Sequence, residues 1–139
     1  MIKLVDILEN KILVPRRGKE ERSKNYKIAT QKQIQQYIKD GGEGDLNLSN
    51  TTITSLPDSL KVGGNFSLFG TPITSLPSGL EVDGFLDLDG TPITSLPDNL
   101  EVGEDLYLNN TSLSKKYSEE EIKKMIEDKG GRVKGNIYI

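Results

Sequence analysis

A twenty-residue repeat constrains this chain more than any other feature. In rows of twenty the middle reads GDLNLSNTTITSLPDSLKVG from Gly44, GNFSLFGTPITSLPSGLEVD from Gly64, GFLDLDGTPITSLPDNLEVG from Gly84 and EDLYLNNTSLS from Glu104. Leu46, Phe66, Leu86 and Leu106 share a column, as do Leu48, Leu68, Leu88 and Leu108. Ile53, Ile73, Ile93 and Leu113 align as well, and so do Leu56, Leu76 and Leu96, each followed by a proline. A fixed period of this length marks a solenoid, in which a repeat can bury its apolar face only against its neighbours.

Within a row, x-L-x-L-x alternates with period two, so both apolar side chains point to one face of a strand. Asn50, Gly70, Gly90 and Asn110 then make a turn, followed by Thr51, Thr71, Thr91 and Thr111. A column of hydroxyls there is expected to satisfy buried backbone groups between coils. Pro57, Pro77 and Pro97 fix φ and favour an extended or turn-like return path. Twenty residues are too few for a strand, two turns and a full helix. The repeat therefore predicts one parallel strand per coil and an irregular convex side, with Leu86, Leu88, Ile93, Leu96, Leu100 and Val102 as one coil's inward set.

The pattern L-x-L-x-x-T-x-I-x-x-L-P over residues 44–114 resembles the leucine-rich repeat, in particular the short LPX class of bacterial secreted effectors and the similar repeats of phage proteins. Thr51, Thr71, Thr91 and Thr111 stand where that consensus has asparagine, and Gly63, Asp83 and Gly103 where it has leucine. The resemblance implies an α/β fold: a right-handed leucine-rich-repeat solenoid with a parallel β-sheet of about five short strands and helical caps at both ends. It also implies a recognition scaffold, not an enzyme.

Flanking segments fit caps. Ser118 and Glu121 form a capping box, Tyr117 and Ile122 are placed as a hydrophobic staple, and Ile122, Met125 and Ile126 share a helix face that Gly130 ends. This predicts a capping helix over 118–129, inserted before a final strand at 136–139, because Val133-x-Gly135-Asn136-Ile137 repeats Val62-x-Gly64-Asn65-Phe66. Thr30 reads as the N-cap of a second capping helix within 30–43, with Ile34, Tyr37 and Ile38 on one face and Gly41 after its end. Residues 1–29 read as a leader: an amphipathic segment carrying Leu4, Val5 and Leu8, a strand fragment at 12–14, and a charged linker. The solenoid itself is assigned to 44–139.

Cysteine and histidine are absent, which removes disulfides, thiolate nucleophiles and the commonest general base and metal ligand. No catalytic residue, metal site or cofactor is therefore assigned. Asp87-Leu88-Asp89-Gly90 has the opening of a calcium loop without its downstream glutamate, and reads better as one phase of the strand repeat. Asp87 with Asp105 as a hydrolytic pair is disfavoured by a shallow, wet face. With neither signal peptide nor apolar span in view, the expected location is the cytoplasm, away from membranes.

Charge is divided. Residues 44–114 carry ten acidic side chains and one basic, whereas residues 1–43 carry ten basic and six acidic. The leader cations Arg16, Arg17, Lys19, Arg22, Lys24 and Lys27 are interrupted by Glu20 and Glu21, so a solvated linker is expected ahead of a nucleic-acid site.

Strand positions between the leucines face solvent on the expected concave side. They form three columns: Asp45, Asn65, Phe85, Asp105, Asn136; Asn47, Ser67, Asp87, Tyr107, Tyr138; and Ser49, Phe69, Asp89, Asn109. Strands lie about 4.8 Å apart, so Phe85, Asp87, Asp105 and Tyr107 should form one patch, joined by Phe69, Asp89 and Tyr138. Aromatics among carboxylates suit a protein-binding hot spot, and a protein partner is the expected ligand. The competing reading has Phe69 and Phe85 covering a cap. A rival role is self-association through the terminal strand or the N-terminal segment.

Overall fold

The structure, a computed structural model, describes residues 30–139. The leader segments at 1–29, including the expected amphipathic segment and the 12–14 strand, lie outside the described residues. The twenty-residue rows are successive turns of a β-solenoid. Strands β1 (Leu46–Asn47), β3 (Phe66–Ser67), β5 (Leu86–Asp87), β7 (Leu106–Tyr107) and β9 (Ile137–Tyr138) form a parallel five-stranded sheet in that order. Its register carries Leu46 onto Phe66, Leu86, Leu106 and Ile137.

The opposite side of each coil departs from the expected irregular path. Strands β2 (Lys61–Val62), β4 (Glu81–Val82), β6 (Glu101–Val102) and β8 (Arg132–Val133) build a second parallel sheet. The cause is local alternation: Leu60, Leu80 and Leu100 point inward with Val62, Val82 and Val102, and the residue between each pair turns out. On that outer row Lys61 and Glu81 lie 3.6 Å apart, and Arg132 and Glu101 3.7 Å apart, exposed pairs that add little stability.

Every inward column residue named from the repeat is buried except Leu56, which is half-buried against the core. After each strand of the first sheet the chain turns sharply. Asn50, Gly70, Gly90 and Asn110 all take positive φ, 56–72°, the region that Gly and Asn enter most readily. The threonines follow, and their role differs from the expected one. Each Oγ1 donates to the carbonyl three residues back in its own coil (Leu48, Leu68, Leu88 and Leu108, at 2.7–2.9 Å) instead of reaching the next coil. A hydroxyl closing its own turn leaves the carbonyl satisfied without calling on a neighbour.

Helix α1 is described over residues 30–39. Thr30, the first residue described, is helical and buried. Ile34 is fully buried, and the Tyr37 hydroxyl lies 2.7 Å from the Gly42 and Gly44 carbonyls and accepts from the Gly63 N–H. Ile38 corrects the three-residue apolar face: it is 42% exposed.

At the other end the fourth coil is opened by two helices, α2 (Ser112–Lys116) and α3 (Glu119–Asp128), of which α2 was not foreseen. Thr111 and Ser114 form its capping box. The expected 118–129 helix is α3 with its two flanking residues: Ser118 accepts from the Glu121 N–H while Glu121 accepts from the Ser118 N–H. Ile122 and Ile126 are buried, Met125 packs half-buried beside them, and Gly130 leaves the helix with φ +80°. The chain then rejoins both sheets as β8 and β9, so the final strand covers Ile137–Tyr138 within the expected 136–139.

Candidate functional site

The outer face of the five-stranded sheet is positioned by the burial of its alternate residues. With Leu86 and Leu88 at 0% exposure, Phe85, Asp87 and Asp89 must point away from the core. The structure brings three of the expected aromatics together. Phe85 meets Tyr107 edge-on, with centroids 5.8 Å apart and planes at 89°. Tyr107 stacks on Tyr138 at 5.0 Å and 13°. Tyr107 and Tyr138 are register partners, whereas Phe85 reaches Tyr107 on the diagonal from the neighbouring column. Such pairs contribute about 0.5–1.5 kcal/mol beyond area burial.

Phe69 stands apart. Among the described residues the ring pairs are these two, and Phe69 is 45% exposed.

The carboxylates divide by what they hold. Asp105 Oδ1 accepts from the Asn136 N–H at 2.8 Å, across to the next coil. Asp87 Oδ1 accepts from the Asp89 N–H at 2.9 Å within its own coil. Asp89 is gripped most firmly, by the N–H and side-chain amide of Asn109 at 2.8–3.2 Å. Asn109 was not singled out from the sequence, although the alignment of Asp89 with residue 109 twenty positions on was the available signal. Among the described residues no three His, Cys, Asp or Glu side chains are grouped to hold a metal ion.

Position 85 breaks a structural series. Asp45 Oδ1 accepts from the Asn65 N–H at 2.8 Å, Asn65 Oδ1 from the Phe85 N–H at 3.0 Å, and Asp105 Oδ1 from the Asn136 N–H. Phe85 holds the same place in its coil but has no acceptor to offer the coil beyond. Where a sequence gives up a repeated structural contact for a half-buried ring on the outer face, function is the usual reason.

Electrostatically the patch is anionic. Asp87 is raised above the ordinary carboxylate range, first by desolvation and then by the charge of Asp89, against the lowering effect of its bond to the Asp89 N–H. The Tyr107 hydroxyl is raised as well, by desolvation first and then by Asp105, Tyr138, Asp87 and Asp89.

Set against known protein families, characterised proteins and solved structures, the chain matches none.

A raised Asp87 has a thermodynamic consequence. Its ionised form is disfavoured in the fold, so this group withdraws stability as pH rises above 3.8, its unfolded value, and withdraws none well below it. Asp87→Asn keeps the acceptor for the Asp89 N–H and removes the charge. It is expected to raise the melting temperature at neutral pH and not near pH 3. A fall at neutral pH, measured by calorimetry, contradicts this reading of the patch.

Proposed function

We propose that this chain is a leucine-rich-repeat-type solenoid that binds a protein partner through the outer face of its five-stranded sheet, without catalysis. In this reading α1 and α3 are the end caps, since Ile34 at one end and Ile122 and Ile126 at the other are buried in the same apolar cluster as the coils. A solenoid needs such closure, because an open end exposes core.

The observation that carries the proposal is the contiguous run Phe85, Tyr107, Tyr138, in contact with one another on the outside of a sheet whose inner side is already packed. Rings that stabilised the fold would belong to the apolar cluster, and these do not. Clustered aromatics with two χ angles each lose little entropy on binding and are the residues on which interface energy concentrates. The absence of cysteine and histidine from the sequence supports the non-catalytic part. Among the described residues, no helix is long and apolar enough to cross a membrane.

Phe85→Ala combined with Tyr107→Ala tests the proposal. The melting temperature is expected to fall by only about 5–10 °C, the share of the two ring contacts, while affinity for the partner captured from the native host falls about a hundredfold or more, at roughly 2 kcal/mol for each central aromatic. A fall of about 20 °C or more, as for a core leucine, makes the rings structural, and unaltered capture places recognition elsewhere.

A further inference from the structure

We propose that the aromatic run takes an extended peptide segment bearing arginine, with the guanidinium laid on the tyrosine rings and held by the carboxylates beside them. This rests on the protein-binding reading above and narrows the partner's chemistry.

Charge argues for a cation. The outward columns of the five-stranded sheet carry Asp45, Asp87, Asp89 and Asp105 and not one lysine or arginine. The lone basic residue of rows 44–114, Lys61, belongs to the other sheet and lies 3.6 Å from Glu81. Among the described residues no basic side chain belongs to this face, and the upward shifts of Asp87 and Tyr107, set first by desolvation, are increased by the neighbouring carboxylates. An arriving cation relieves that repulsion and is drawn in from a distance at low ionic strength.

Ring geometry argues for a planar cation. Tyr107 and Tyr138 lie 13° from parallel, and Tyr138 is 42% exposed on the outermost strand described, so a flat group can continue the stack. Guanidinium stacks on aromatic faces and pairs bidentately with carboxylates, which an ammonium cannot do. The carboxylates retain capacity for this: the bonds to Asp87 and Asp105 from the described residues use Oδ1, leaving Oδ2 of each for a ligand.

The test is a fluorescence-anisotropy titration of the full chain with a labelled octapeptide alternating arginine and serine. Expected affinity is about tenfold tighter than for the same peptide with citrulline in place of arginine, and several-fold tighter than for the lysine version. It should weaken by more than about tenfold between roughly 50 mM and 500 mM salt. Asp87→Asn with Asp105→Asn preserves both Oδ1 acceptors, so the fold is kept, yet binding should drop about tenfold and the salt slope flatten. Asp45→Asn makes the same charge change away from the rings and should alter binding less than about twofold.

Equal binding of the citrulline peptide, wild-type affinity in the double asparagine variant, or retention of a neutral oligosaccharide in place of the arginine peptide each overturns the proposal. If the peptide fails while Phe85→Ala with Tyr107→Ala still abolishes partner capture, the protein-binding function stands and only the arginine assignment falls. If that pair leaves capture intact, the function itself is overturned.

Discussion

Leu88→Ala is expected to remove about 3–5 kcal/mol of stability and lower the melting temperature by roughly 15–25 °C in a single transition. Leu88 is 0% exposed in the middle of the column Leu48, Leu68, Leu88, Leu108, with equally buried leucines on the coils to either side. The backbone on both sides is pinned: the Leu88 N–H donates to the Tyr107 carbonyl, and the Leu68 N–H donates to the Asp87 carbonyl. Neighbouring coils therefore cannot slide together to fill the void, and the loss sits near the upper part of the usual range for leucine truncation. A two-residue strand cannot stand without its neighbours, so the array should melt as one body, as nearest-neighbour coupling in solenoids requires. Differential scanning calorimetry decides the matter. A drop of only a few degrees means that the column is loosely packed, and a biphasic melt means that the coils on either side of Leu88 fold separately.

The inward half of this architecture was legible because burial in a solenoid repeats with the sequence. A residue that is apolar in every row has only one place to go. The second sheet was harder to see. Leu80-Glu81-Val82 does alternate, but two paired residues between a turn and a bend, with Asp83 and Gly84 following, give too short a run to register as a strand. The threonine hydroxyls illustrate a different limit. Bonds to the same coil and to the next satisfy the same kind of carbonyl, and only the turn geometry, with its positive φ at the residue before each threonine, selects the first. Ile38 failed because helical spacing says which residues share a face, not how far the underlying core extends. One turn beyond Ile34 it borders a surface groove lined by Asp58, Ser59 and Lys61. The outward columns placed Tyr107 over Tyr138 correctly. They also grouped Phe85 with Tyr107 ahead of Phe69, and among the described residues Phe85 does reach Tyr107 on the diagonal while Phe69 lies outside both ring pairs.

The second large effect concerns the glycines that precede the outward column, and it links the fold to the binding face. Residues 44, 64, 84, 104 and 135 occupy one position of the coil and are glycine except for Glu104. The exception follows a rule. A side-chain oxygen of Asp45, Asn65 or Asp105 reaches over to an N–H of the next coil, and it occupies the space that a Cβ on Gly64, Gly84 or Gly135 would need. Glu104 follows Phe85, which carries no such oxygen, and there a full side chain is accommodated. The glycines at 64, 84 and 135 thus serve close approach and not backbone conformation, since none has positive φ. Gly84→Ala is expected to cost about 2–3 kcal/mol, because it evicts the Asn65 amide from the Phe85 N–H and leaves that donor unsatisfied. Asn65→Ala alone should cost about 1–2 kcal/mol for the same lost bond. Combined, the two should cost clearly less than their sum, with a coupling of at least about 1 kcal/mol in denaturant unfolding. Glu104→Ala, at the same position one coil on, should stay within about 0.5 kcal/mol. The rescue is partial, because the Gly64 carbonyl carbon lies 3.0 Å from the same Cβ position. Strict additivity of Gly84→Ala and Asn65→Ala makes that backbone contact the whole cause, and the exchange of a structural oxygen for an outward-facing ring at Phe85 then explains nothing about the glutamate beside it.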